Sequence, residues 1–298
     1  MQHIEMAEGL TFSRLIYGWW RLMDWNMSTR DISARIDECL ALGISTHDHA
    51  DIYGEYQCEA AFGEALKATP SLRDKLQLVT KCGIQLVSPR RPMHKRKNYD
   101  TGYQHIVASA EQSLKSLHTD YIDVLLIHRP DPLMDADEMA RAFTDLKAQG
   151  KVRHFGVSNF TASQFAQLQS RLSEPLVTNQ LEISVLHHAT FADGSLDQAQ
   201  TLRRPPMAWS ALAGGRLFSG TDARAIAVRE CLQQLTDNYQ CSVDQLALAW
   251  LLKHPANILP IVGSGASARV QSAWASLNIE LSRDDWYTIW EANGGELP

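Results

Sequence analysis

Four side chains in the 298-residue sequence form a set that could deliver a proton to a reacting oxygen: Asp48, Tyr53, Lys81 and His128. The first two lie in HDHADIYG (47–54), where Gly54 supplies a turn. A free tyrosine, with a pKa of about 10, is a weak acid at neutral pH. A nearby ammonium favours the phenolate and lowers that value, and Lys81 can supply the charge. Asp48 can pair with Lys81, hold it and offset its desolvation. His128 can hydrogen-bond to a substrate oxygen or relay a proton. A tuned tyrosine suits protonation of an alkoxide forming on a reduced carbonyl, chemistry that requires a hydride donor. The same stretch offers a rival. His47 and His49 form a His-x-His pair at a strand end, a metal-binding arrangement of barrel hydrolases. Strand alternation lets either both histidines or Asp48 point inward, and the pair falls on the second barrel strand rather than the first.

The elements that would position these groups follow one pattern. Residues 3–13 read as a small hairpin around Gly9. Strands are predicted at 14–18, 43–48, 76–81, 121–128, 152–158, 175–180, 206–210 and 258–263. Helices are predicted at 29–42, 58–68, 102–117, 136–149, 161–172, 194–203, 223–239, 242–254, 266–277 and 281–293. Short apolar strands alternating with helices imply a parallel sheet covered on both faces. Eight such units point to an α/β fold, a closed (β/α)8 TIM barrel in one domain spanning 1–298, with the hairpin before it and an extra helix after it. An open doubly wound sheet is the runner-up, but no GxGxxG follows a strand. Chemistry in such barrels sits at the C-terminal ends of the strands. Asp48, Lys81, His128, Ser158-Asn159 and Gln180 all fall there.

Composition excludes several classes. A hydrophobic share of 45% is globular, and no apolar run is long enough for a transmembrane helix. The opening MQHIEMAEG has acids and no apolar core of a signal peptide. A net charge of −6 gives no general attraction to nucleic acid or anionic membrane. Five scattered cysteines without a CxxC pair fit a reducing, cytoplasmic setting and no zinc–thiolate site. A monomer is slightly favoured over an oligomer. The basic run Arg90, Arg91, His94, Lys95, Arg96, Lys97 reads as a solvated loop; a sharper reading has it overhang the site and favour anionic substrates. Trp20 and Trp25, after the first strand, are candidates for a substrate-pocket wall.

HDHADIYG, LVTKCG, DVLLIHRPD, KVRHFGVSNF, TNQLEIS and PIVGSGASAR, in this order, resemble the aldo-keto reductases from about residue 14 to 275. Bacterial members of the branch that includes the potassium-channel β subunits are the most similar. The resemblance implies an NADPH-dependent reduction of aldehydes or ketones, with Tyr53 as general acid, Lys81 and Asp48 tuning it and His128 orienting the carbonyl. It implies that Ser158, Asn159 and Gln180 hold the nicotinamide carboxamide and that Trp209 stacks on the ring. Ser210, Leu212 and Gly214 would begin the loop along the pyrophosphate. Ser264 and Arg269 would grip the adenosine 2′-phosphate, where a guanidinium favours NADPH over NADH. The sequence departs from the family at His49, where a small hydroxyl residue is usual. It also departs at Gly263–Ala266, which lacks a common lysine, and at Ala273, in place of an asparagine or glutamine. Only Gly-Gly-Glu-Leu-Pro follows the last helix, which implies an open site and broad specificity. A metal-dependent hydrolase using the HDH triplet and a nicotinamide-binding sensor with little turnover are the alternatives.

Overall fold

The computed structural model describes residues 3–296, so the ends of the expected 1–298 domain and of its short tail lie outside the described residues. Eight parallel strands close a barrel in chain order. They are β1 (Ile16–Gly18), β2 (Thr46–Asp48), β3 (Gln77–Cys82), β4 (Ile122–Ile127), β5 (Val152–Ser158), β6 (Asn179–Glu182), β7 (Met207–Trp209) and β8 (Leu259–Val262). Around them run α1 (Thr29–Ala41), α2 (Cys58–Ala68), α3 (Tyr103–Leu117), α4 (Ala136–Ala148), α5 (Ala162–Gln169) and α6 (Ser195–Leu202). Three helices, α7 (Arg216–Ser219), α8 (Ala223–Tyr239) and α9 (Val243–Leu252), separate β7 from β8; α10 (Ser267–Ala275) and the extra α11 (Arg283–Ala292) complete the shell. The (β/α)8 expectation therefore holds. None of the described helices is long and apolar enough to cross a membrane.

Local chemistry sets the helix starts. Ser28 and Thr161 each accept the backbone N–H of the residue three ahead, and Asp31 and Gln164 return the bond, which satisfies donors the helix cannot. Asp135 caps α4 in the simpler way. Two segments differ from the sequence reading. The sixth strand is Asn179–Glu182, not 175–180. The backbone of residues 177 and 178 bonds only to β5, through Val177 N to Phe155 O and Val157 N to Thr178 O, and backbone pairing with β7 begins at Gln180. The loop after β3 carries its own antiparallel pair, Ile84–Gln85 with Asn98–Tyr99, around the basic run.

The N-terminal hairpin, His3–Ala7 with Leu10–Ser13, closes the lower end of the barrel. Its Met6, Leu10 and Phe12 pack with Ile16, Val79, Val124, Leu126, Met207 and Leu259 from the strands. Because side chains alternate, each strand that offers an apolar residue here offers its next inward residue one layer higher. That next layer holds Gly18, Lys81 and Trp209.

Candidate active site

β2 is flanked in register by β1 and β3, with Gly18 opposite Asp48 and Asp48 opposite Val79. Lys81, two residues beyond Val79, is wholly buried. Its ammonium donates to Asp48 Oδ2 (2.8 Å), to the His49 carbonyl (2.7 Å) and to Tyr53 Oη (2.9 Å). All three ammonium protons are thus engaged, which is what an ammonium out of water requires. Asp48 Oδ1 accepts from Gln180 Nε2 at 2.8 Å, so the network crosses the barrel from β2 and β3 to β6. Tyr53 sits in the turn after β2, its N–H on the Ala50 carbonyl. The turn needs Gly54: its φ is +56°, and a Cβ there would strike Met23 and lie 2.7 Å from Cys58 Sγ. His128 follows β4, its N–H on the Cys82 carbonyl and its ring edge-on to Tyr53 with centroids 5.9 Å apart. Its Nδ1 is buried without a partner.

The charges are strongly perturbed. Burial pushes the Tyr53 hydroxyl well above the ordinary phenol value, Asp48 adds to the rise, and Arg129 opposes it. This corrects the expectation that Lys81 would lower it: burial and the carboxylate together win. Since Lys81 donates to Oη, the phenol keeps its own proton to give elsewhere. Burial lowers Lys81, with Asp48 pulling the other way. Burial, then Lys81 and Arg129, hold His128 well below the usual imidazole value, which keeps it neutral.

A second cluster stands beside this one. Ser158 Oγ donates to the Gln180 carbonyl (2.9 Å), and Asn159 Nδ2 donates to Ser158 Oγ (2.8 Å). Trp209 Nε1 donates to Asn159 Oδ1 at 2.9 Å. Asn159 holds φ = +60°, a conformation asparagine tolerates better than most residues. Past Trp209 the loop has positive φ at Ser210, Ala213, Gly214 and Gly215, with Leu212 at −108° between them. Ala213, Gly214 and Gly215 are left-handed in succession, and the Ala213 and Gly215 N–H groups close on the Ser210 and Leu212 carbonyls.

Ser264 and Arg269 lie farther along the same rim, in the β8–α10 loop and the first turn of α10, where Arg269 is exposed. Arg35, which the sequence reading missed, ties this loop down. It bonds to the carbonyls of Ser264 and Gly265, to Ser267 Oγ and to Tyr17 Oη. It sits on the inner face of α1, and only its long-range partners reveal its role. Trp20 is 58% exposed, with Arg21 over its ring. Trp25 is half-buried against Tyr17, Trp19 and Gly265. In the basic run Arg90 donates to Gln57 Oε1 (2.6 Å) and Arg91 covers the Tyr56 ring.

His47 and His49 face out of the barrel. His47 Nδ1 accepts from Trp19 Nε1 at 2.9 Å, and His49 stacks on Trp19 and meets Phe62 edge-on. Burial depresses both imidazoles, His47 to about 3. Among the described residues no group of three or more His, Cys, Asp or Glu is placed to hold a metal ion. His49 contributes through its backbone, which holds Lys81, while its ring fills an aromatic slot.

Several known proteins are similar to this chain over nearly its whole length. "Oxidoreductase YdhF" of Escherichia coli is 52% identical over 98% of this chain and 97% of its own length. A "6-dehydroglucose reductase" of Agrobacterium fabrum is 45% identical over 97% of both. The crystal structure of an aldo/keto reductase from Klebsiella pneumoniae in complex with NADP and acetate superposes with a TM-score of 0.81 at 24% identity, covering 100% of this chain and 97% of that one. With the family's sequence profile matching residues 14–293, the chain belongs to the aldo/keto reductase family.

Proposed function

We propose that this protein is an NADPH-dependent reductase of aldehydes or ketones. The observation that carries the reading is the wholly buried Lys81 ammonium, bonded at once to Asp48 (2.8 Å) and to the Tyr53 hydroxyl (2.9 Å). The residues fit the cofactor. A carboxamide needs one acceptor and one or two donors, and Gln180, Asn159 and Ser158 provide them side by side. Trp209 offers a ring for the nicotinamide, the loop from Ser210 through Leu212 to Gly214 its backbone, and Ser264 with Arg269 a hydroxyl and a fork for a 2′-phosphate. When bound, NADPH supplies the hydride that reduces the carbonyl carbon.

The chain's own residues handle the oxygen. Tyr53 is protonated at neutral pH and gives its proton to the oxygen as charge develops there. Lys81 then stabilises the phenolate left behind, and Asp48, anchored by Gln180, keeps Lys81 charged and in place. Neutral His128 orients the carbonyl by a hydrogen bond. The Agrobacterium relative named as a 6-dehydroglucose reductase makes a sugar aldehyde a sensible member of any substrate panel. Fluorescence titration with NADPH, then turnover on aldehydes, ketones and 6-dehydroglucose, tests the reading. Tyr53→Phe is expected to bind NADPH normally and to lose about 10²- to 10⁴-fold in kcat. Full activity in that variant would refute the mechanism.

A further inference from the structure

Arg129 follows His128 directly and was given no role by the sequence. Its guanidinium carbon lies 5.3 Å from the centroid of the Trp209 ring. Arg129 belongs to the end of β4 and Trp209 to the end of β7, and β5 and β6 stand between those strands in the closed barrel. The side chain therefore reaches across the mouth instead of lying along its rim. It is half-buried, and no carboxylate pairs with it among the described residues. Its charge is felt at the Tyr53 hydroxyl and at His128.

This is an unusual place for an arginine. Guanidinium stays charged at any physiological pH, and its fork wants oxygen acceptors. Stacking over an indole offsets part of the desolvation but leaves the five N–H donors without partners. The other arginines near the site are spoken for. Arg35 is bound into the β8–α10 loop, and Arg90 and Arg91 lie on the start of α2. An indole ring has two faces, so Trp209 can carry the guanidinium and a nicotinamide together.

We propose that Arg129 is a specificity residue that grips two neighbouring oxygens on the substrate, away from the carbonyl being reduced. This rests on the reductase reading above and narrows its substrate class to small carbonyl compounds rich in oxygen. A planar fork matches two chemistries equally: a carboxylate, and a pair of vicinal hydroxyls. A plain alkyl aldehyde offers neither.

Two substrate pairs separate these sources. Succinic semialdehyde against butanal reads the carboxylate, and glyceraldehyde against propanal reads the diol. In Arg129→Met the kcat/KM ratio within at least one pair falls about ten- to hundredfold, the size of one charge-assisted pair. The pair that responds names the chemistry. Arg129→Lys, which keeps the charge without the fork, recovers part of the carboxylate ratio and little of the diol ratio. Ratios within about threefold of wild type in both pairs overturn the proposal, as does an equal loss on all four compounds. Calorimetric titration with succinate and with glycerol in the presence of NADP+ reads the same subsite without turnover. Binding by the wild type that Arg129→Met loses supports the grip; no binding, or equal binding, overturns it. If no carbonyl is reduced at all, the reductase reading fails, while the titration still decides for or against Arg129.

Discussion

The two ends of the barrel are built from the same strands yet obey different rules. At the lower end Phe12, Met6 and Leu10 from the hairpin seal an interior lined by Val79, Val124, Leu126 and Leu259. Nothing there needs a partner, and packing is the only requirement. One layer higher, Lys81 replaces the valine, and Gln180 and Asp48 join it. The buried charges there must find mates, because an unpaired one costs several kcal/mol. The lesson is that a single inward step along β3 changes the job from holding the barrel shut to holding a charge.

Mutations at the two ends should therefore fail differently. The largest effect is expected for Lys81→Met, which removes the charge behind Tyr53 and strands Asp48. Turnover should drop by about 10²- to 10⁴-fold, and stability by about 3–5 kcal/mol from the unpaired carboxylate. Adding Asp48→Asn should restore much of the stability and none of the activity, a split that urea denaturation and steady-state kinetics read together. If the double variant is no more stable than Lys81→Met, the pair is not what sets the upper layer. Phe12→Ala comes next. It should cost about 3–5 kcal/mol by leaving a cavity, with kcat per folded molecule at the wild-type level. A large fall in kcat in that variant would erase the distinction between the ends.

The smallest effect belongs to the wall between them. Burial holds the His47 imidazole at about 3 in the folded protein, against 6.5 for a free side chain. The unfolded chain therefore takes up a proton between these values and the folded one does not. Stability is full above about pH 6.5 and falls as pH drops toward 3. Thermal midpoints across that window should fall less steeply in His47→Gln. Parallel slopes would mean that other groups govern the acid limb.

Much of this site was legible in the chain. Asp48, Lys81 and His128 each close a short strand, and in a barrel a charge ending such a strand faces the interior or its mouth. Strand alternation turned His47 and His49 outward, where Trp19 and Phe62 receive them. The sixth strand was harder to place. Residues 175–178 have an extended, largely apolar sequence, but a strand is defined by what pairs on both sides, and the backbone of residues 177 and 178 pairs with β5 alone.

The sequence by itself determined the class of fold, the order of its strands and helices and the residue types near the strand ends, since those depend on periodicities of two and 3.6 within short windows. Only the tertiary structure decided which of those groups meet. Asp48 and Gln180 are 132 residues apart and bond at 2.8 Å because the barrel closes. The same closure raised the Tyr53 proton affinity against the expected direction, since burial is set by what surrounds the turn and not by its residues. It also carried Arg129 from the end of β4 to the ring of Trp209, across a mouth that exists only once all eight strands are in place.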